Sequence, residues 1–305
     1  MTDRRETSRG PRRTNRKSAK RHGQTPATDW QEGERIAKYL ARAGIASRRE
    51  VEAMIERGEV EVNGKKLRTP AFKVTGRETI SVNGKRVSHH ESVRVWRYHK
   101  PSGLITTTND PEGRRTIFEE ISKALPRTIT IGRLDLNTEG LLLLTNDGGL
   151  ARAMELPKTG FRRHYRARAH GKITQEALDT LADGITTEDG TRFASIKATL
   201  ERQTGTNNWI SVELIEGKNR EVRKALEHLG LKVNRLIRTQ YGPFELLDLR
   251  PGAVEEIPGN LLRSALGDKV PTQFLPTENR RAESGPKSKG ATRANSQKRR
   301  KPMRR

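Results

Sequence analysis

Gly132-Arg133-Leu134-Asp135-Leu136-Asn137-Thr138-Glu139-Gly140 runs straight into Leu141-Leu142-Leu143-Leu144 and on to Thr145-Asn146-Asp147-Gly148. One carboxylate, Asp135, stands a single residue away from Arg133 and five residues before Gly140, with a wholly apolar run close behind. A carboxylate held against an apolar segment is costly unless a cation or hydrogen-bond donors pair with it. Asp135 is therefore either half of a structural ion pair or a working acid, base or nucleophile. Which of the two it is decides what the chain does.

Around this segment, residues 93–270 alternate strands and helices without the regular rhythm of a parallel βα sheet. Val93, Val95 and Arg94, Trp96 alternate into Tyr98 and break at Lys100-Pro101-Ser102-Gly103. Tyr165, Ala167 and Ala169 alternate with Arg166 and Arg168, which predicts a strand with one basic face. Gln175 to Leu181 reads as a short helix ending near Gly184, and Ile210, Val212 and Leu214 as another alternating strand. Asn219 is placed to cap a helix carrying Val222, Leu226 and Leu229 inward, with Gly230 as its stop. The expected class is α+β, with flanking helices on a mostly antiparallel or mixed sheet.

Upstream lies a smaller unit over residues 32–92. A helical pattern from Glu34 to Leu40 puts Ile36, Tyr39, Leu40 and Ala43 on one face and stops at Gly44. Ser47 can cap a second helix through Arg57, with Glu50 completing a capping box and Val51, Met54 and Ile55 facing inward. Asn63-Gly64 and Asn83-Gly84 each sit between short β-prone runs and predict two hairpins. Arg48, Arg49 and Arg57, with Arg42 nearby, form either a solvated charged face or a phosphate-binding one.

The chain of 305 residues carries a net charge of +24 and has a pI near 10.8. An excess of this size points to a polyanionic partner. Residues 1–31 and 271–305 are rich in Ser, Thr, Pro, Gly and Arg and poor in large apolar side chains, so both are expected to be disordered basic tails. Residues 1–30 and 272–305 hold fifteen of the net charges, leaving nine on the body. The run Lys298-Arg299-Arg300-Lys301 could serve nuclear import, although an RNA-affinity and solubility tail is the plainer reading. No window approaches the ~20 apolar residues of a membrane span. The N-terminus lacks the apolar core of a secretory signal. With no cysteine, disulfides, thiolate zinc sites and thiol nucleophiles are all excluded. No membrane association, a cytoplasmic location and a monomer are expected.

Several chemistries fall away. Asp135-x-Asn137-x-Glu139-Gly140 imitates the start of a calcium loop, but Asn146 stands where a glutamate is needed and leucines fill the second half. There is no dinucleotide or phosphate-loop glycine pattern, and the seven histidines lack metal-ligand spacing; His89 and His90 read as a solvated loop pair. Three residues stay open besides Arg133: Asp135, Tyr165 in its basic strand, and Arg223 one turn inside a helix. Taken singly they read as an ion pair, a core ring and a solvated cation.

Longer motifs add to this. Arg35-Ile36-Ala37-Lys38-Tyr39-Leu40-Ala41-Arg42-Ala43-Gly44, Ser47-Arg48-Arg49-Glu50 and Gly58-Glu59-Val60-Glu61-Val62-Asn63-Gly64 resemble an S4 RNA-binding domain. The opening segment is similar to the signature of S4-containing ribosomal RNA pseudouridine synthases, the RsuA/RluB family. Tyr98-His99-Lys100-Pro101-Ser102-Gly103, Glu216-Gly217-Lys218-Asn219-Arg220-Glu221-Val222-Arg223-Lys224 and Arg235-Leu236-Ile237-Arg238 extend the match. Thr107 to Arg114 favours the branch acting on the large subunit.

This resemblance implies isomerisation of uridine to pseudouridine in ribosomal RNA, with 23S rRNA or a large-subunit assembly intermediate as partner. Asp135 would be the nucleophile or the base at the sugar, and Arg223 its cationic partner. Arg133 would hold phosphate or the vacated base position, Tyr165 would stack on the uracil, and Leu236 would pack the other side of the pocket. Arg42, Arg48, Arg49 and Arg57 would bind RNA. The reaction needs neither redox chemistry nor hydrolysis, so no cofactor or metal is expected. A non-enzymatic ribosome-assembly protein is the main rival. A glycosidase would need a second pocket-facing acid, for which Glu139 is the nearest candidate.

Overall fold

The computed structural model describes residues 33–88, 92–122 and 124–276. The histidine pair at 89–90, residues 1–32 and residues 277–305 lie outside them, and with them most of both basic tails. The chain divides between residues 89 and 90 into two compact units.

The first unit opens with β1 (Glu34–Arg35), α1 (Ile36–Arg42) and α2 (Arg48–Glu56). Then follow β2 (Val60–Val62), β3 (Lys65–Lys66), β4 (Lys73–Val74), β5 (Ile80–Val82) and β6 (Lys85–Arg86). Ser47 caps α2 as expected, its hydroxyl accepting from the Glu50 amide at 3.1 Å. The Glu50 carboxylate turns to Arg57 instead of closing the box. Asn63 and Asn83 adopt φ of 51° and 50°, the left-handed pair conformation that each two-residue hairpin requires. Helix α1 begins later than the periodicity implies, because Glu34 and Arg35 pair with Lys73 and Val74 as a strand. Ile36, Leu40, Val51, Ile55, Val60 and Ile80 make the core.

The second unit starts with β7 (Val95–Lys100), α3 (Ile117–Ile121), β8 (Ile129–Ile131), β9 (Thr138–Thr145) and α4 (Gly148–Glu155). It continues with β10 (Arg163–His170), α5 (Gln175–Asp179), β11 (Ile185–Thr186), β12 (Arg192–Phe193), β13 (Lys197–Thr204) and β14 (Asn207–Leu214). It closes with α6 (Glu221–His228), β15 (Lys232–Tyr241), β16 (Phe244–Glu245), β17 (Val254–Ile257) and α7 (Gly259–Leu266). Seven strands run in the order β13-β14-β10-β15-β9-β7-β17, with β8 and β16 attached to β9 and β15. All pairings in this sheet are antiparallel except β15 with β9. The sheet is therefore mixed.

The four leucines form the middle of β9, a central strand buried on both faces, which is why they do not alternate with polar residues. Leu141 and Leu143 join a core with α4 and α7, whereas Leu142 and Leu144 join Trp96, Tyr98 and Ile117 on the other side. Each is fully buried, and such burial stabilises by ~1.5–3 kcal/mol per side chain. Beyond β9, Asp147 caps α4 by accepting from the amides of Gly149 and Leu150. The third core packs α5 and α6 on the face of β10, β14 and β15 that carries Ala167, Ala169, Ile210 and Leu236. Order continues through Pro276: Phe274 packs on the α4 core, and a Cβ at Gly149 would run into its ring. Residues 271–276, assigned from sequence to the tail, thus belong to the fold.

Candidate active site

Asp135 ends the loop that delivers the chain into β9, and this loop is held carbonyl by carbonyl. The Thr106 hydroxyl donates to Leu134 O at 2.8 Å, and the Thr138 amide to Asp135 O at 3.0 Å. Leu136 O accepts from the Gly103 amide and from Lys100 Nζ; Asn137 O accepts from Arg223. Thr138 O accepts from Lys100 Nζ at 2.9 Å. Backbone geometry around the carboxylate is thereby set by two buried cations. The Asp135 side chain, half-buried, makes no ion pair among the described residues.

Arg223 does not grip Asp135 as its placement in the motif implied. Helix α6 carries it into the interior, where its guanidinium donates to Val233 O at 3.0 Å and Asn137 O at 2.9 Å, and its Nε finds no partner. Both terminal nitrogens of the guanidinium are thus committed to carbonyls, and among the described residues no carboxylate pairs with it. Burial, with Arg220 adding to it, lowers the Arg223 pKa, and the Asp135 carboxylate pushes the other way. The two groups feel each other's charge without touching.

A cavity of about 580 Å³ opens over Asp135. Arg133, Asp135, Tyr165 and Leu236 all line it, so four of the five residues expected at the site converge; Arg223 is not among the lining residues. Tyr165 and Leu236 share a face because they occupy same-parity positions of neighbouring strands: Tyr165 opposes Arg238, and Ala167 opposes Leu236. Arg133 is exposed at the rim. Arg163, Lys218, Arg220 and Arg238 also line the cavity, so five basic side chains face three acids, Asp135, Glu155 and Glu221. That balance favours an anionic ligand.

Arg163 fastens one wall. It donates to Ile215 O, to Glu216 O at 2.8 Å and to the Tyr241 hydroxyl at 3.3 Å, and stacks over the Tyr241 ring. Arg220, not Asn219, is the N-cap of α6, in a left-handed conformation with φ of 52°. The Glu221 carboxylate closes that helix end by accepting from the Lys218 amide. Burial and the neighbouring Glu216 push Glu221 up to about 7. Lys100 is fully buried, and burial draws its ammonium down to about 8 against the opposing pull of Asp135 and Glu139.

Sequence reasoning passed over Lys100 and Arg238. Lys100 shares its strand parity with the buried Trp96 and Tyr98, and Arg238 shares its parity with Leu236, which was the available signal. Glu139, the acid weighed as a second catalytic group, faces away and is bound by both ends of the Arg235 fork at 2.9 and 2.8 Å. In the first unit, Arg48 and Arg49 are exposed, while Arg57 is held by Glu50 and Glu59 and Arg42 reaches Glu34.

A mixed sheet carries an aspartate loop, a tyrosine and a basic cavity on one face, an arrangement suited to an anionic ligand. The family model for RNA pseudouridylate synthases matches residues 94–228, and that for S4 domains matches residues 34–80. An uncharacterized RNA pseudouridine synthase of Rickettsia felis is 46% identical over 75% of this chain and 99% of its own length. The ribosomal large subunit pseudouridine synthase B of Yersinia pestis is 42% identical over 70% of this chain and 69% of its own. The chain belongs to the RNA pseudouridine synthase family and joins an S4 domain to a catalytic domain. A crystal structure of a pseudouridylate synthase shares the fold, with a TM-score of 0.52 at 23% identity over 74% of this chain and 97% of that one.

Proposed function

We propose that the chain isomerises one uridine of 23S ribosomal RNA, free or within an assembling large subunit, and does so as a cytoplasmic monomer. The observation that carries the catalytic assignment is the convergence of Asp135, Arg133, Tyr165 and Leu236 on one basic cavity, with Asp135 on a loop whose carbonyls from Leu134 to Thr138 are each held. The reaction breaks the bond between N1 and C1′, turns the base, and joins C5 to C1′; the C5 proton leaves and N1 gains one. Asp135 is the group at the sugar, as nucleophile or as base. Tyr165 stacks on the uracil from the β10 side and Leu236 backs it. Arg133 at the rim holds the flanking phosphate or enters the space the base vacates. Lys100 and Arg223 position the loop by holding its carbonyls.

The uridine must leave its stack to reach Asp135, at a cost of roughly a few kcal/mol. The basic rim, the cations of the S4 unit (Arg42, Arg48, Arg49 and Arg57) and the tails offset it. Two outward neighbours, Arg48 and Arg49, are the S4 cations most open to phosphate. The test is Asp135→Asn in a tritium-release assay on C5-labelled 23S rRNA. Folding and RNA affinity should stay near wild type while release disappears; retained turnover would remove Asp135 from the chemistry. A protein that only binds RNA would show no dependence on Asp135 at all.

A further inference from the structure

The sheet face turned away from the cavity carries an ordered row of cations. Directly opposed residues of paired strands share a face. Following the register from β15 through β10 and β14 to the edge strand β13 gives one row: Arg235, Arg168, Trp209, Arg202. The three arginines are exposed and Trp209 is half-buried. In the adjoining row, Arg166 lies over the Trp209 ring at 4.7 Å.

Parity fixes this arrangement. The alternate residues on these strands, Ala167, Ala169, Ile210 and Leu236, are locked in the core on the cavity side, so the cations cannot turn inward. Placing Arg168 opposite Arg235 sets like charges side by side, an arrangement that weakens a sheet. Two acids reach the patch: Glu139 holds Arg235, and Glu201 holds Arg166 at 2.6 Å. Arg168 and Arg202 make no ion pair among the described residues. The apolar core of α4 and α7 covers this same face beside β9, but the β10-β14-β13 part stays open.

We propose that this open face is a second docking surface for RNA, engaging a strand remote from the target uridine. Phosphates lie along Arg168, Arg202 and Arg235, whose planar forks match phosphate oxygens, and a neighbouring base meets Trp209. Exposed cations interleaved with one aromatic ring are what a nucleic-acid strand needs and what a merely soluble surface does not. The surface adds binding and contributes nothing to the chemistry, because the cavity opens on the other side. The proposal rests on the chain's being an RNA enzyme, and it is independent of what Asp135 does.

The test uses the full chain with Arg168→Gln and Arg202→Gln together; both side chains are exposed, and a melting temperature no lower than that of the wild type confirms the fold. Binding is measured over a salt titration to transcribed 23S rRNA and to a short hairpin carrying only the target uridine. For the long RNA we expect affinity to fall roughly ten- to thirty-fold and the salt slope to drop by about 1.4–1.8. The hairpin, too short to reach the far face, should bind variant and wild type equally, with single-turnover release at saturation unchanged. Glu201→Gln, which frees Arg166, should tighten binding to the long RNA. Unchanged affinity and slope for the long RNA, or an equal loss on the hairpin, would overturn the proposal. Absence of tritium release by the wild type would defeat the proposed activity yet leave this binding comparison intact.

Discussion

Replacing Lys100 by methionine separates what the buried ammonium does for stability from what it does for the Asp135 loop. The lysine is fully buried, and burial lowers its pKa from 10.5 to about 8. That corresponds to roughly 3 kcal/mol of penalty on the charged form. Methionine fills similar space and removes the penalty, but the carbonyls of Pro101 and Thr138 lose the ammonium as donor, while Leu136 O keeps the Gly103 amide. Two stranded carbonyls cost ~2–6 kcal/mol, so the net effect lies between about 1 kcal/mol of stabilisation and about 3 kcal/mol of destabilisation. The melting temperature should fall by at most about 10 °C. Turnover should suffer far more, because the Thr138 anchor of the Asp135 loop is lost and the Leu136 anchor weakened, and a 1 Å misplacement costs about 100-fold.

Melting curves and single-turnover tritium release at saturating enzyme measure the two effects. Turnover within about threefold of wild type, with RNA binding intact, would show that the loop is held without Lys100. A pH series adds a second check. Unfolded, the lysine keeps its proton until about 10.5, whereas folded it loses it near 8. Between these values the unfolded chain binds more protons, so this residue makes wild-type stability rise with pH; below 8 its contribution is flat. The stability of the wild type relative to Lys100→Met should therefore grow by up to roughly 3 kcal/mol across that window. A difference that stays constant would refute the burial account.

Glu221, raised from 4.5 to about 7, binds more protons folded than unfolded between those values, so its cost to stability appears as pH rises and is complete above 7. Glu221→Gln should accordingly melt higher than wild type above pH 7 and show no gain below 4.5; a pH-independent change would contradict this. Gly140 has φ of +103° and its missing Cβ would overlap the Arg238 backbone where β9 and β15 pair, so Gly140→Ala should destabilise by ~3 kcal/mol or more in thermal melts. Truncation after Pro276 should leave the melting temperature unchanged while weakening RNA binding and flattening its salt dependence. Truncation before Thr272 should also lower the melting temperature, because it strips Phe274 from the α4 core.

Local patterns were legible where neighbours in sequence decide the structure. The Ser47 cap, the two Asn-Gly hairpins and the parity of Tyr165, Ala167 and Ala169 each follow from spacing of a few residues. The catalytic role proposed for Asp135 rests on motif resemblance, since one carboxylate beside leucines fits a structural ion pair equally well. The cap of α6 was misjudged because Asn219 is the better capping residue in isolation, whereas the chain there turns left-handed at Arg220.

By itself, the sequence determined an RNA-seeking charge, two folded units, and which residues alternate onto a common strand face. Tertiary structure alone decided the rest: that the leucines are a strand enclosed on both faces, that Lys100 anchors the Asp135 loop, and that Arg223 holds two carbonyls instead of a carboxylate. Arg223 and Asn137 stand 86 positions apart, and Lys100 is 36 from Leu136. The physical reason is that a buried cation takes whichever acceptors the packed strands bring within reach. Short-range periodicity places a side chain on a face but carries no information about the distant carbonyl it will meet there.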